Sequence, residues 1–146
     1  MKTAADLLKS KPLQTVFTIT PKASVFDALE LMADKDIGAL LVMEGAQVAG
    51  IFTERDYARK SALMSRSPSD TPVREIMTSA VMYVRPDQTS DECMALMTEH
   101  RVRHLPVIDS GRMIGLVSIG DLVKATISEQ QFIIEQLGHY ISGDRG

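Results

Sequence analysis

The sequence predicts an α+β fold of mixed helices and strands, made by using one β-α-β-β-α unit twice. The first observation behind this is a repeat. Gly50-Ile51-Phe52-Thr53-Glu54-Arg55-Asp56 returns as Gly115-Leu116-Val117-Ser118-Ile119-Gly120-Asp121, so residues 50 and 115, and again 56 and 121, stand 65 apart. Carried backwards without a gap, the shift pairs Pro21 with Pro86, Leu31-Met32 with Leu96-Met97, and Leu40 and Val42 with Leu105 and Val107. It keeps character at Ile19 and Val84, Ser24 and Thr89, and Thr53 and Ser118. The second observation is that helical spacing and apolar runs of strand length follow in the same order in both copies. The third is the polar, Pro- and Ser-rich stretch 65–72 between them, which reads as a linker.

In order along the chain, Thr3 with Asp6 predicts a short capped helix over Ala4 to Lys9, broken at Ser10-Lys11-Pro12. Gln14 to Ile19 is rich in β-branched and aromatic residues and reads as a strand, and Thr20-Pro21-Lys22-Ala23 as a turn. Ser24 with Asp27 three residues on opens a helix in which Val25, Ala28, Leu29 and Met32 recur at helical spacing. Ala39 to Met43 and Gln47 to Phe52 read as strands about the turn Glu44-Gly45-Ala46, and a helix follows from Thr53 to about Met64.

The second copy starts with a short helix over Val73 to Met77, which resembles the N-terminal one, and a strand over Val81 to Val84. Thr89 with Glu92 caps the next helix. Leu105 to Asp109 and Met113 to Val117 repeat the hairpin about Ser110-Gly111, with Pro106 marking an edge or a bulge. From Ser118 a helix keeps its apolar spacing through Ile127, Ile134 and Leu137 to Gly138 or beyond. The repeat needs only its first two turns, so the apolar remainder is left to pack on the first repeat or on a second subunit. The expected organisation is an N-terminal helix over 1–13, repeats over 14–64 and 73–126, and a helical extension over 127–146.

Composition narrows the function. The net charge of -3 and pI near 5.6 give no broad basic surface, so nucleic acid is not expected as a partner. No apolar run reaches transmembrane length and the first residues lead into no signal-peptide core, which predicts a soluble, cytoplasmic protein with no membrane partner. Cys93 is the only cysteine and falls on the apolar side of a helix, where a small buried residue is the simplest reading. Met32, Met43, Met97 and Met113 fall on core positions in the same way.

Thr53-x-x-Asp56 and Ser118-x-x-Asp121 have two readings. Each fits a capping box, worth about 1 kcal/mol. Each also fits a hydroxyl and a carboxylate at a strand-to-helix turn, able to accept from the two hydroxyls of a ribose, beside a helix N-terminus that favours phosphate. Positive charge gathers at His100, Arg101, Arg103 and His104, with Arg55 nearby, whereas the matching Lys35, Asp36, Gly38 and Ala39 nearly cancel. Guanidinium forks suit phosphate oxygens, and a solvated helix end is the plainer use of the same residues. No metal-ligand spacing, Ser/His/Asp set or phosphate-binding glycine loop is present, so neither a metal nor catalysis is expected.

The apolar-apolar-Thr/Ser-x-x-Asp motif after a strand, Leu105-Pro106-Val107-Ile108-Asp109 preceded by Arg101-Val102-Arg103-His104, the Thr-Pro turn and the tandem order together resemble a pair of CBS domains, a Bateman module. The resemblance covers residues 14 to about 126. It implies two units packed sheet to sheet about a pseudo-twofold axis, with two composite clefts for adenosine compounds. Carried over, one cleft would use Ala23, Ile37, Gly38 and Ala39 with Ser118 and Asp121. The other would use Gln88, Val102, Arg103 and His104 with Thr53 and Asp56, and Arg55 for phosphate. The implied function is a stand-alone, homodimeric sensor of AMP, ADP, ATP or NAD that signals to a regulated protein. The other reading is a dimeric assembly module with vestigial clefts.

Overall fold

Local chemistry fixes the helix starts before packing does. The computed structural model describes residues 2–11 and 16–142, excepting the side chains of 139–142. In α1 (Ala4–Lys9) Thr3 and Asp6 form a reciprocal capping box. Ser24 caps α2 (Val25–Lys35) by accepting from the Asp27 amide at 3.0 Å. Thr53 caps α3 (Glu54–Lys60) and Thr89 caps α4 (Ser90–His100), each with its carboxylate reaching back. The helix expected to reach Met64 ends as α-helix at Lys60 and finishes in a 3-10 turn, Ser61–Leu63.

The first repeat holds a three-stranded sheet: β1 (Thr18–Ile19) runs parallel to β2 (Ala39–Glu44), which pairs antiparallel with β3 (Gln47–Thr53). The second holds the hairpin of β4 (His104–Asp109) and β5 (Arg112–Ser118), whose Ser110-Gly111 turn has both residues at positive φ, as a two-residue hairpin of this twist requires. The register shifts between Val42 and Met43 and between Val107 and Ile108, equivalent points of the two copies. Pro106 sits just before the second shift. Its carbonyl accepts from Val84 N at 2.9 Å, on a side where only one bridge is made and a proline N is tolerated.

Of two expected strands one is shorter in the structure and the other does not form. Of Gln14 to Ile19 only Thr18 and Ile19 pair; Gln14 and Thr15 lie outside the described residues. No strand forms over 81–84, where Val84 alone bridges Val107, just as Ile19 pairs with Val42. The reason is a crossing. Thr78 pairs with Ile51 of the first repeat and Val84 with Val107 of the second, so the residues between them span the two sheets and have no ladder to join.

The repeats are laced together by the segments that precede them. Thr3 bridges Thr89 and Pro72 bridges Ser24, so residues 3 and 72, an offset of 69, occupy matching places on opposite repeats. Ala4 and Leu7 are buried in the second repeat's core with Val107, Val117 and Leu122, while Val73 and Ile76 are buried in the first with Val25, Leu40 and Phe52. Two glycines permit this close approach. A Cβ on Gly50 would stand 2.6 Å from Met77 Sδ and 2.8 Å from the Thr78 carbonyl, and one on Gly115 2.6 Å from a Leu8 methyl. Residues 65–72 are folded too: Thr71 is buried and its carbonyl accepts from Val25 N at 2.8 Å.

A third apolar cluster joins the halves. Ala39, Leu41 and Ile51 face Val81, Met113 and Leu116, with the opposite faces of both sheets covered by helices. Met32, Met97 and Cys93 are buried, and burial pushes the Cys93 thiol above its ordinary range. The last helix, α5 (Ile119–Ser142), buries Leu122 and Ala125 on the second repeat. Beyond them Ile127, Phe132, Ile133, Ile134 and Leu137 are each more than half exposed, so this end of α5 does not pack back on the first repeat.

Candidate functional site

Two clefts open at the junction of the repeats, of about 640 Å³ and about 600 Å³. Each takes its acidic corner from one repeat and its wall from the other. The Asp56 cleft joins the β3–α3 turn (Thr53, Arg55, Asp56) to the α4–β4 turn (100–104) and to the crossing segment at Thr78, Val81 and Met82. The Asp121 cleft joins the β5–α5 turn (Ser118, Asp121, Lys124) to the α2–β2 turn (36–39), to Val16 and Phe17, and to Lys9 and Lys11 from the end of α1. Gly38 and His104 border both.

The walls are backbone turns with a common shape. Asp36 and Arg101 end their helices at φ 53° and 55°, and the next amides, Ile37 N and Val102 N, donate to Met32 and Met97 carbonyls at 3.0 and 3.1 Å. This left-handed cap reverses the chain, so that 37–39 and 102–104 run along the cleft rather than away from it. Arg55 Nη1 crosses the Asp56 cleft to donate to the Arg101 carbonyl at 2.8 Å, closing the C-terminal end of α4 from the facing repeat.

Capping and cleft lining coexist at both acidic corners. Asp56 Oδ2 accepts from Thr53 N at 3.2 Å and its hydroxyl at 3.0 Å, while Oδ1 accepts from the Thr78 hydroxyl at 3.0 Å. Asp121 Oδ2 accepts from Ser118 N at 2.8 Å and lies 3.0 Å from Lys11 Nζ. Their side chains are 15% and 17% exposed, so each keeps a face toward the cleft rather than toward bulk water.

Of the residues expected from sequence, Ile37, Gly38, Ala39, Ser118 and Asp121 meet in one cleft, and Thr53, Arg55, Asp56, Val102, Arg103 and His104 in the other. Ala23 and Gln88 line neither. Their carbonyls accept from Val73 N and Ala4 N, both at 2.8 Å, which commits these turns to the lacing segments. The walls missed in their place include Val16 and Phe17 in one cleft and Val81 and Met82 in the other. They are 65 apart in the sequence, so the repeat carried the signal.

The expected inequality of charge is also corrected. Arg55, Arg59, Arg101 and Arg103 face Glu54 and Asp56 in one cleft, while Lys9, Lys11, Lys35 and Lys124 face Asp36 and Asp121 in the other. The formal sums match. What differs is the kind of cation, since three of these lysines come from α1, the residues just after it and α5, outside the pattern compared in the sequence.

His104 stands between the clefts with its imidazole held below the usual range, first by burial and then by Lys11, against an opposing pull from Asp121 that outweighs the further push from Arg103. Its folded pKa is therefore below the unfolded one, so the contribution to stability is complete above the ordinary value of 6.5 and is lost as pH falls through it toward the folded pKa. The unfolding midpoint in denaturant should fall between about pH 7 and about pH 5.5 more steeply for the parent than for His104→Gln. Equal slopes would remove His104 from the account.

Among the described residues no group of three or more His, Cys, Asp or Glu converges as a metal site, and no helix is long and apolar enough to cross a membrane. A family profile described as "CBS domain" matches residues 4–63 and again 73–128. The chain is 60% identical to a CBS-domain protein from Burkholderia ambifaria MC40-6, with a TM-score of 0.84 over 88% of this chain and 96% of that one. It is 39% identical to the mitochondrial CBS domain-containing protein CBSX3 of Arabidopsis thaliana, over 97% of this chain and 72% of that protein. It is 26% identical to CBSX2 solved in complex with AMP, with a TM-score of 0.74 over 88% and 98% of the two chains.

Proposed function

Because the chain belongs to the CBS-domain family, in two tandem copies, we propose that it is a regulatory module that binds adenine nucleotides in the two clefts between its repeats. One observation carries the reading: each cleft sets a partly buried Thr/Ser-x-x-Asp carboxylate against the backbone turn of the other repeat, beside a cluster of cations. Asp56 and Asp121 accept from the ribose hydroxyls. The turns 37–39 and 102–104 read the adenine edge, the apolar side chains of Val16 and Val81 cover its face, and Arg55 and Arg103 take phosphate. Volumes near 600 Å³ suit a bound nucleotide, since ligand pockets run from about 300 to 1,000 Å³. The AMP held by CBSX2 supports the ligand class.

AMP, ADP and ATP share these contacts, and NAD offers the same adenosine end. The module acts in the cytoplasm by changing shape or affinity for a regulated protein, with no metal and no turnover of its own. Calorimetric titration with AMP, ADP, ATP and NAD, with GMP as the contrast, tests this. Two adenylate sites per chain are expected, and no adenylate binding at millimolar concentration would end the reading.

The exposed apolar end of α5 favours a second role beside the first, self-association as a homodimer. Removing residues 127–146 should turn the dimer into a monomer in analytical ultracentrifugation while nucleotide binding persists. A truncated protein that stays dimeric would place the contact elsewhere.

A further inference from the structure

The two cleft carboxylates are held by different chemistry at comparable points of the lacing segments. Asp56 Oδ1 accepts from the hydroxyl of Thr78, with Lys60 Nζ farther off at 3.8 Å. Asp121 is instead claimed by an ammonium: Lys11 Nζ lies 3.0 Å from its Oδ2 and donates to the Leu116 carbonyl at 2.8 Å. A hydroxyl donates, accepts and carries no net charge, so it can turn aside for a sugar hydroxyl, whereas an ammonium only donates.

Lys11 and Asp121 are 28% and 17% exposed, so water compensates only in part for parting them. A ribose that took Asp121 and brought no anion would leave the ammonium with the neutral Leu116 carbonyl in place of a carboxylate, which is unfavourable in that setting. A run of phosphates offers Lys11 a new partner, and Lys9, Lys35 and Lys124 border the same cleft. Lysines act as point charges on long flexible stems and follow phosphates along a chain, where a guanidinium fork suits one fixed group.

We propose that Lys11 makes the Asp121 cleft selective for adenine nucleotides with two or more phosphates, by holding Asp121 in the free protein and passing to the phosphate chain when one enters. The Asp56 cleft, where the ammonium of Lys60 stands farther off at 3.8 Å and is held by the Ile76 carbonyl at 2.7 Å, has only a looser pair to break and accepts the monophosphate as readily. The module then compares ligands by phosphate number. This rests on the adenylate reading of the clefts.

The test titrates the Asp56→Ala protein, in which the Asp121 cleft is left to report, with adenosine and with ATP. The same protein carrying Lys11→Met or Lys11→Arg is titrated beside it, and thermal melting verifies that each is folded. Lys11→Met should weaken ATP and strengthen adenosine, shrinking the ratio of their affinities by about tenfold, while Lys11→Arg keeps it. If Asp56→Ala does not fold, a two-site titration of Lys11→Met in the otherwise unaltered chain makes the same comparison. An unchanged ratio with ATP still bound overturns the role of Lys11 and leaves the nucleotide reading standing. Failure of the parent protein to bind any adenylate overturns both.

Discussion

Asp56→Ala should abolish one of two classes of adenine-nucleotide site and leave the other intact, and Asp121→Ala should do the converse. A carboxylate that accepts from both ribose hydroxyls makes two charge-assisted hydrogen bonds, so its loss should weaken that site by about 100-fold or more. The same carboxylates cap helices, and Asp56 also holds Thr78, so stability should fall by about 1 to 2 kcal/mol. Asp56→Asn separates the two duties. An amide oxygen still accepts from Thr53 N but carries no charge, so most of the stability should return while binding stays weak. Variants that bind as well as the parent would reduce both aspartates to caps.

Leu7→Ala should cost about 2 to 5 kcal/mol, a large share of the stability of a domain of this size. Leu7 is 1% exposed and packs with Val107, Val117 and Leu122 of the second repeat, although it stands at the start of the chain. The loss should show in that repeat first: hydrogen exchange should quicken in β4 and β5 before β2 and β3. Ile76→Ala, 2% exposed in the first repeat's core, should reverse the order. Faster exchange in β2 and β3 for Leu7→Ala would contradict the lacing of the halves.

Much of the site was legible because it repeats. A motif used twice in a fixed register marks the strand, the cap and the acid together, and Thr53, Asp56, Ser118 and Asp121 all reach the clefts. Secondary structure followed where local chemistry decides it, at the caps of α1, α2 and α4 and at the hairpin turns. What failed was set by the crossing of the chain between repeats. Thr3 and Pro72 match at an offset of 69, four residues out of the register that relates the motifs, so that register hides their pairing although the segment after Pro72 resembles the N-terminal helix. That lacing takes up the turns at Ala23 and Gln88 and brings Lys9 and Lys11 into a cleft that the matched positions alone made neutral. The expected strand over 81–84 gave way for the same reason, because its residues bridge the two sheets and line the Asp56 cleft.

The central claim is that a nucleoside lies between the halves, its sugar on one repeat and its base on the other. The most direct measurement is a crystal structure of the protein grown with AMP. The ribose hydroxyls should lie within hydrogen-bond distance of Asp56, with the adenine edge along 102–104 and Val81 against its face. AMP bound outside both clefts, or inside one with the ribose turned away from the aspartate, would contradict it.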